Sequence, residues 1–302
     1  MTGASGFIGG AVATALADHG HEVIGFGRRA GGWGHPHARY RIWDVAAGPL
    51  DHRGDDEVEA VVHCAALADD WAPRDRAMAV NRDGTRAVIA AFPGARIVHL
   101  STSSVYDAFG PTVDAHESEP MPLRFLSTYS ESKAAAEREL AGLDAVILRP
   151  HAVYGHGDTT LLPRVLDAVR RGRLPLPEGA DVLHTLTHID NVVRAVEAAI
   201  SPATPRGTYN IGDDTPVVLG AVLGEILRRR GIPVRIVRVP YATAMAVASG
   251  LEAGARLTGR RPRLTRYAVS QLGVERTLDL SAARRDLAYR PTPTVLDGVE
   301  DW

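Results

Sequence analysis

The sequence predicts an α/β protein in which a doubly wound, mainly parallel sheet is joined to a smaller C-terminal lobe. Short β-rich apolar runs alternate with longer stretches of helical period through the first 200 residues, the pattern of a parallel sheet with crossover helices. A glycine-rich turn stands at the head of the chain. After about residue 151 the alternation weakens, and Pro and Gly crowd "YGHGDTTLLP" and "GRLPLPEGAD".

The elements follow in order. In "MTGASGFIGG" only Met1 and Thr2 precede the first glycine, although such a turn normally follows a buried strand. The first strand is therefore expected to be truncated, with Met1 a mis-assigned or shortened start standing where a strand-terminal apolar residue belongs. "FIGGAVATALADHG" spaces Phe7, Ile8, Val12 and Leu16 as one helical face and stops at Gly20. Strands are expected at 21–27, 39–45, 58–66, 95–103 and 143–150, with helices near 78–93 and 127–142. "LTHIDNVVRAVEAAI" (186–200) reads as strand and helix and "GTYNIGD" (207–213) as a last strand. These boundaries divide the chain into a first domain, 1–155, to which 184–213 returns, and a second lobe made of 156–183 and 214–302.

Composition narrows the functions. A 45% apolar, 23% charged chain of net charge -2 offers no electrostatic reason to bind nucleic acid or an anionic membrane. Cys64 is the sole cysteine, so neither an internal disulfide nor a cysteine-based zinc site can form; no metal is expected, and a reducing cytoplasm suits the chain. The weakly polar stretch "YATAMAVASGL" (241–251) is about half of the roughly 20 residues that span a bilayer, and reads as a helix covering a pocket.

The chemistry-bearing residues begin with Gly3, Gly6 and Gly9. The first permits a tight turn, the second lets backbone approach a pyrophosphate, and the third lets helix and sheet pack closely. The second strand ends Gly27-Arg28-Arg29, with two guanidinium groups and no carboxylate. A ribose 2′-phosphate is the matching ligand, which favours NADP over NAD. Tyr129 and Lys133 lie four apart on one helix face, where an ammonium is expected to lower the tyrosine pKa. Thr102, at a strand end, is expected to hold a substrate oxygen within reach of Tyr129.

TGxxGxxG, "STSSVY", Tyr129-xxx-Lys133, "LRPHAVYGHGD" and "HIDNV" in this order resemble the extended short-chain dehydrogenase/reductase superfamily, in its epimerase/dehydratase-like branch, over essentially the whole chain. The resemblance implies a Rossmann-type fold and an NAD(P)-dependent enzyme acting on a small-molecule substrate. It places Asp44 near the adenine, Ala65 and Ala66 along the cofactor, Asn81 as a brace of the active-site strands, and Lys133 on the nicotinamide ribose. Ser5, Phe7, Ile8, Val45, Pro150 and Val153 complete the implied cofactor contacts. It also implies a homodimer formed through the helices near 78–93 and 127–142.

Nucleotide-sugar members carry Asn and Arg where this chain has Ala152 and His184, and dehydratases carry Asp-Glu where it has Ser103 and Ser104. The segment 261–291 is similar to the tail of 3β-hydroxysteroid dehydrogenase-like proteins and 2-alkyl-3-ketoalkanoate reductases. The expected reaction is hydride transfer between NADPH and a ketone on a largely apolar skeleton, with Ser103, Ser104, His151 and His184 facing the substrate. Leu161, Leu162, Leu183 and Leu186 are expected to supply apolar pocket walls. The alternatives are a nucleotide-sugar epimerase or reductase and a non-catalytic NADP-binding protein.

Overall fold

The computed structural model describes residues 1–50 and 58–302. The first half runs α1 (Phe7–Asp18), β1 (Val23–Gly27), β2 (Ala38–Ile42) and β3 (Ala60–His63). A long helix then comes in three pieces: α2 (Arg74–Met78), a π-helical turn at Ala79–Asp83, and α3 (Gly84–Ala91). β4 (Arg96–Leu100), β5 (Thr112–Ala115), α4 (Thr128–Glu139) and β6 (Ala145–Pro150) follow. The second half opens with β7 (Val153–Tyr154), α5 (Leu161–Ala168), β8 (Arg173–Pro177), β9 (Leu183–His184) and β10 (Thr187–His188), and returns through α6 (Ile189–Ile200) and β11 (Gly207–Ile211). It ends with β12 (Val217–Val218), α7 (Leu219–Arg229), β13 (Arg235–Val239), α8 (Tyr241–Thr258), α9 (Arg266–Gly273), β14 (Arg276–Leu278) and α10 (Ser281–Asp286).

Parallel pairing runs β11–β6–β4–β3 and β1–β2. Thr2 joins the two runs into one sheet by bridging Phe26 on one side and His63 on the other. Its amide donates to the Val62 carbonyl at 2.9 Å, and the Cys64 amide donates to its carbonyl at 3.2 Å. On the other edge Phe26 donates to Met1 at 2.7 Å and Ala4 to Phe26 at 3.1 Å. The place of the expected first strand, at the sheet centre, is thus held by Met1 and Thr2.

α1 and α6 cover one face of the sheet, burying Val12, Leu16, Val192 and Val196 against Val62, Val98, Val146 and Leu148. α3 covers the other through Val88 against Phe26, Trp43 and Val61. Each such side chain contributes about 1.5–3 kcal/mol on removal from water. Leu174, Leu176, Leu219, Leu223 and Leu227, from β8 and α7, form a separate core. Leu186 is buried within that core, Leu161 packs on it, and Leu162 packs with Ile226 and Val299. Leu183 is exposed. Leu161, Leu162 and Leu186 are therefore taken up by core packing and Leu183 faces outward, so these leucines do not form pocket walls as expected. The helix expected at 241–251 runs on to Thr258, where Gly259 ends it in the left-handed conformation, and it packs through Ala244 and Ala248 on Val269 of α9. No helix among the described residues is long and apolar enough to cross a membrane.

Candidate active site

The glycine turn lies against the end of β3. Gly3 has φ +75°, and a Cβ there would meet the Ala65 amide nitrogen at 2.6 Å; one on Gly9 would meet the Gly3 carbonyl at 2.1 Å. Only glycine allows the turn and the helix to approach this closely. No side chain caps the start of α1 and its first turn carries no acidic residue. Its free amides and positive helix end therefore fit the diphosphate of a dinucleotide.

Around this turn, Arg29 donates to the Ser5 carbonyl at 3.0 Å, and Tyr40 donates to the Arg29 carbonyl at 2.7 Å. Arg28 and Arg29 are both exposed at the end of β1. Asp44, just beyond β2, accepts from the Ala46 amide at 3.0 Å, and Val45 is buried beneath α3. Phe7, Ile8 and Val153 pack along the edge of the main core. Ala66 follows Ala65 beyond β3, and Pro150 closes β6.

The π-turn gives Asn81 its reach. Its Oδ1 accepts from the Leu67 amide at 2.7 Å and its Nδ2 donates to Ser132 at 2.8 Å, which ties the segment after β3 to α4. Extra π-turns of this kind recur at functional sites.

α4 begins where Ser127 accepts from the Ser130 amide at 3.1 Å. That cap sets Tyr129 in the first turn and Lys133 one turn later. Lys133 is buried, and its Nζ donates to the Leu100 carbonyl at 2.5 Å and to His99 Nε2 at 3.0 Å. One N–H remains for a ribose hydroxyl. Burial pushes Lys133 down to about 8, against the charge of Glu137, which raises it.

Part of the Tyr129 surface is open, yet its phenol group is enclosed, and that enclosure lifts its pKa above the ordinary range. Thr102 and the charge of Arg164 draw it back down. The Lys133 ammonium is turned to Leu100 and His99, and Arg164 of α5 is the cation whose charge lowers Tyr129. Arg164 is held by Asp70 at 3.1 Å, and Asp70 also accepts from Thr265 at 2.6 Å and Arg261 at 3.3 Å, which ties α5 and the start of α9 to the segment after β3.

Beyond Thr102 the wall turns polar. Thr102 donates to Ser104 at 3.1 Å, and Ser104 shares a hydrogen bond of 2.6 Å with Tyr267 of α9. Ser103 bonds His151 at 2.9 Å, and the other ring nitrogen of His151 bonds His184 at 3.0 Å. Both histidines are buried, and burial with the nearby Arg276 charge keeps them neutral, His184 being lowered to about 3. A cavity of about 10 Å³ lies between Ser103, Ser104, His151, Gln271, Arg276 and Leu278. The structure thus gathers Thr102, Ser103, Ser104, Tyr129, Lys133 and His151 around one place, and sets His184 behind His151.

Sequence reading missed Arg164, Tyr267, Gln271 and Arg276. For Arg276 a signal existed: Val274, Arg276 and Leu278 alternate on one face of a short strand, so the arginine stands where an apolar residue is expected. The others are brought in by tertiary packing alone.

Residues 1–212 match the model of the family described as "NAD dependent epimerase/dehydratase family". A 2-alkyl-3-oxoalkanoate reductase of Shewanella oneidensis is 34% identical over 99% of this chain and 84% of its own length. A 4-hydroxy-2-methyl-3-oxo-4-farnesyl-3,4-dihydroquinoline-1-oxide ketoreductase of Stigmatella aurantiaca is 31% identical over 99% of this chain and 94% of its own. Among solved structures, MoeE5 in complex with UDP-glucuronic acid and NAD superposes with a TM-score of 0.70 at 24% identity, over 99% of this chain and 95% of that one.

Proposed function

The chain belongs to the NAD dependent epimerase/dehydratase family, among the extended short-chain dehydrogenases/reductases, and from that premise we propose that it reduces a ketone to a secondary alcohol with NADPH. One observation carries the proposal: Tyr129, enclosed and neutral, stands in the first turn of α4 with Lys133 one helical turn behind it, and Thr102 is near enough to draw its pKa down. The named reductases that the chain is similar to support a ketone as the reacting group.

In this reading the second lobe, 156–183 and 214–302, receives the substrate. Thr102 and Tyr129 together donate to the ketone oxygen and fix its position. A reduced nicotinamide supplies the hydride to the carbonyl carbon when bound. Tyr129 delivers its proton to the oxygen as charge develops there, and its raised pKa keeps that proton in place at neutral pH. Lys133, anchored by Leu100 and His99, offers its remaining N–H to the cofactor ribose. Exposed Arg28 and Arg29 supply the contact to a 2′-phosphate. A homodimer through α2, α3 and α4 belongs to the same proposal.

Tyr129→Phe is expected to lower kcat by about 10²–10⁴-fold while leaving NADPH affinity within a few-fold; unchanged turnover sinks the reading. Arg28→Ala with Arg29→Ala is expected to raise the KM for NADPH by about tenfold to hundredfold and spare that for NADH. Equal effects on both cofactors return the assignment to NAD.

A further inference from the structure

Thr102, Ser104 and Tyr267 are buried, and their hydroxyls form one chain from the end of β4 to α9. Thr102 Oγ1 lies 3.1 Å from Ser104 Oγ, which lies 2.6 Å from the Tyr267 hydroxyl. The Ser104 amide also donates to Thr102 Oγ1, at 3.1 Å. Among the described residues, Ser104 is the hydrogen-bond partner of the Tyr267 hydroxyl.

Each hydroxyl has one proton to give and rotates to suit its partners, so the chain can run in either direction. Run from Thr102 toward α9, it turns the Thr102 proton away from the site and leaves the buried Tyr267 O–H without an acceptor among the described residues. Run the other way, Tyr267 donates to Ser104 and Ser104 to Thr102. Both lone pairs of Thr102 Oγ1 are then engaged, one by the Ser104 amide and one by its hydroxyl, and the Thr102 proton is the one left to give. An idle buried donor costs free energy, so a ketone oxygen beside Thr102 favours this second direction, in which every proton has an acceptor.

The place of Tyr267 does not depend on that chain. Thr265, at the start of α9, accepts from the Ala268 amide at 3.0 Å and donates to Asp70 at 2.6 Å. Three residues past Tyr267, Ser270 accepts from Arg276 at 2.6 Å and bonds the Ala108 carbonyl. α9 is pinned on both sides of the phenol, which stands still while the hydroxyls turn.

We propose that Tyr267 and Ser104 are positioning residues of the ketone reduction: Tyr267, acting through Ser104, aims the Thr102 O–H at the ketone oxygen. This rests on the ketone reductase reading and adds to it a residue that acts at one remove from the reacting atoms. The three hydroxyls keep their protons throughout; hydride adds to the carbonyl carbon, Tyr129 gives its proton to the oxygen, and the cofactor is oxidised.

The test measures kcat and KM in the full protein with NADPH and two ketone probes, nonan-2-one and methyl 3-oxodecanoate. Tyr267→Phe removes only the phenol oxygen and is expected to lower kcat by about tenfold, with the KM values for ketone and NADPH within about threefold. Ser104→Ala is expected to do the same. The double variant is expected to lose no more than either single one, because both changes cut one chain. Losses that multiply to about a hundredfold overturn the proposal and assign the two side chains to the scaffold. A kcat within about twofold of the unaltered protein in either single variant also overturns it and leaves the reductase reading standing. Should Tyr267→Phe fail to fold, Ser104→Ala carries the test by the same two outcomes. Failure to reduce either probe removes the reductase reading and this inference with it.

Discussion

Two buried arginines border the candidate site, and they are handled in opposite ways. Arg149, on β6, meets Glu137 of α4 through Nη2 at 2.6 Å and Nε at 3.1 Å, lies over the Tyr106 ring at 5.0 Å, and donates to the Tyr106 hydroxyl at 3.0 Å. Ser101 also bonds Glu137. Arg276, on β14, has carbonyls, hydroxyls and one idle N–H. The first is a closed pair whose charges satisfy each other, so it holds α4 to the sheet and Tyr129 with it. The second is a cation whose acceptors are all neutral. Burial alone does not say how a charge is satisfied; its partners do.

The largest effect expected from breaking this contrast comes from making Arg149 resemble Arg276. Glu137→Gln leaves a buried guanidinium uncompensated and should cost about 3–5 kcal/mol of stability, measured by urea unfolding. A loss below about 1 kcal/mol would mean that the pair is not closed. Because Glu137 raises Lys133, the same variant should move the alkaline limb of NADPH binding to a lower pH than the value of about 8 set by Lys133.

A middle-sized effect concerns the histidines. His63 and His184 are both lowered to about 3, chiefly by burial; Lys133 adds to the effect at His63 and Arg276 at His184. Below the ordinary value near 6.5 the unfolded chain takes up protons that the folded chain refuses. Stability should therefore fall as pH drops from about 6.5 toward 3, by about 1.4 kcal/mol per pH unit for each histidine. Thermal unfolding at stepped pH should show this slope, and His184→Gln should remove one proton from it. A flat profile would contradict the buried neutral state.

The smallest effect isolates Arg276. Replacing it with Gln removes a positive charge that depresses His184, so the His184 value should rise from about 3 by a fraction of a unit to one unit, read by NMR titration. No movement would place the guanidinium charge too far from His184 to matter.

Much of this site was legible in the chain because its signals are local. The glycine turn works through neighbours three residues apart, and Tyr129 and Lys133 share a face because a helix returns every four residues. Thr102 falls at a strand end that the apolar pattern locates, whereas Asn81, in the π-turn between α2 and α3, was marked by the family resemblance alone. Other parts resisted reading. A YxxxK spacing says that two side chains are near, but it does not say which way the ammonium points; packing against Leu100 and His99 decided that. Leucines at 161, 162 and 186 carry the same pattern whether they line a pocket or fill a core, and the core claimed them.

The sequence by itself determined the alternation of strands and helices, the glycine turn that leads into α1, and the presence of a tyrosine and a lysine four apart on one helix, since each follows from backbone geometry over a few residues. Only the tertiary structure decided which cation acts on Tyr129, that Tyr267 reaches Ser104 across 163 positions of chain, and that Arg276 comes to rest beside His184 with no carboxylate partner among the described residues. Charge acts through space and not along the chain, so its balance exists only once distant segments have packed.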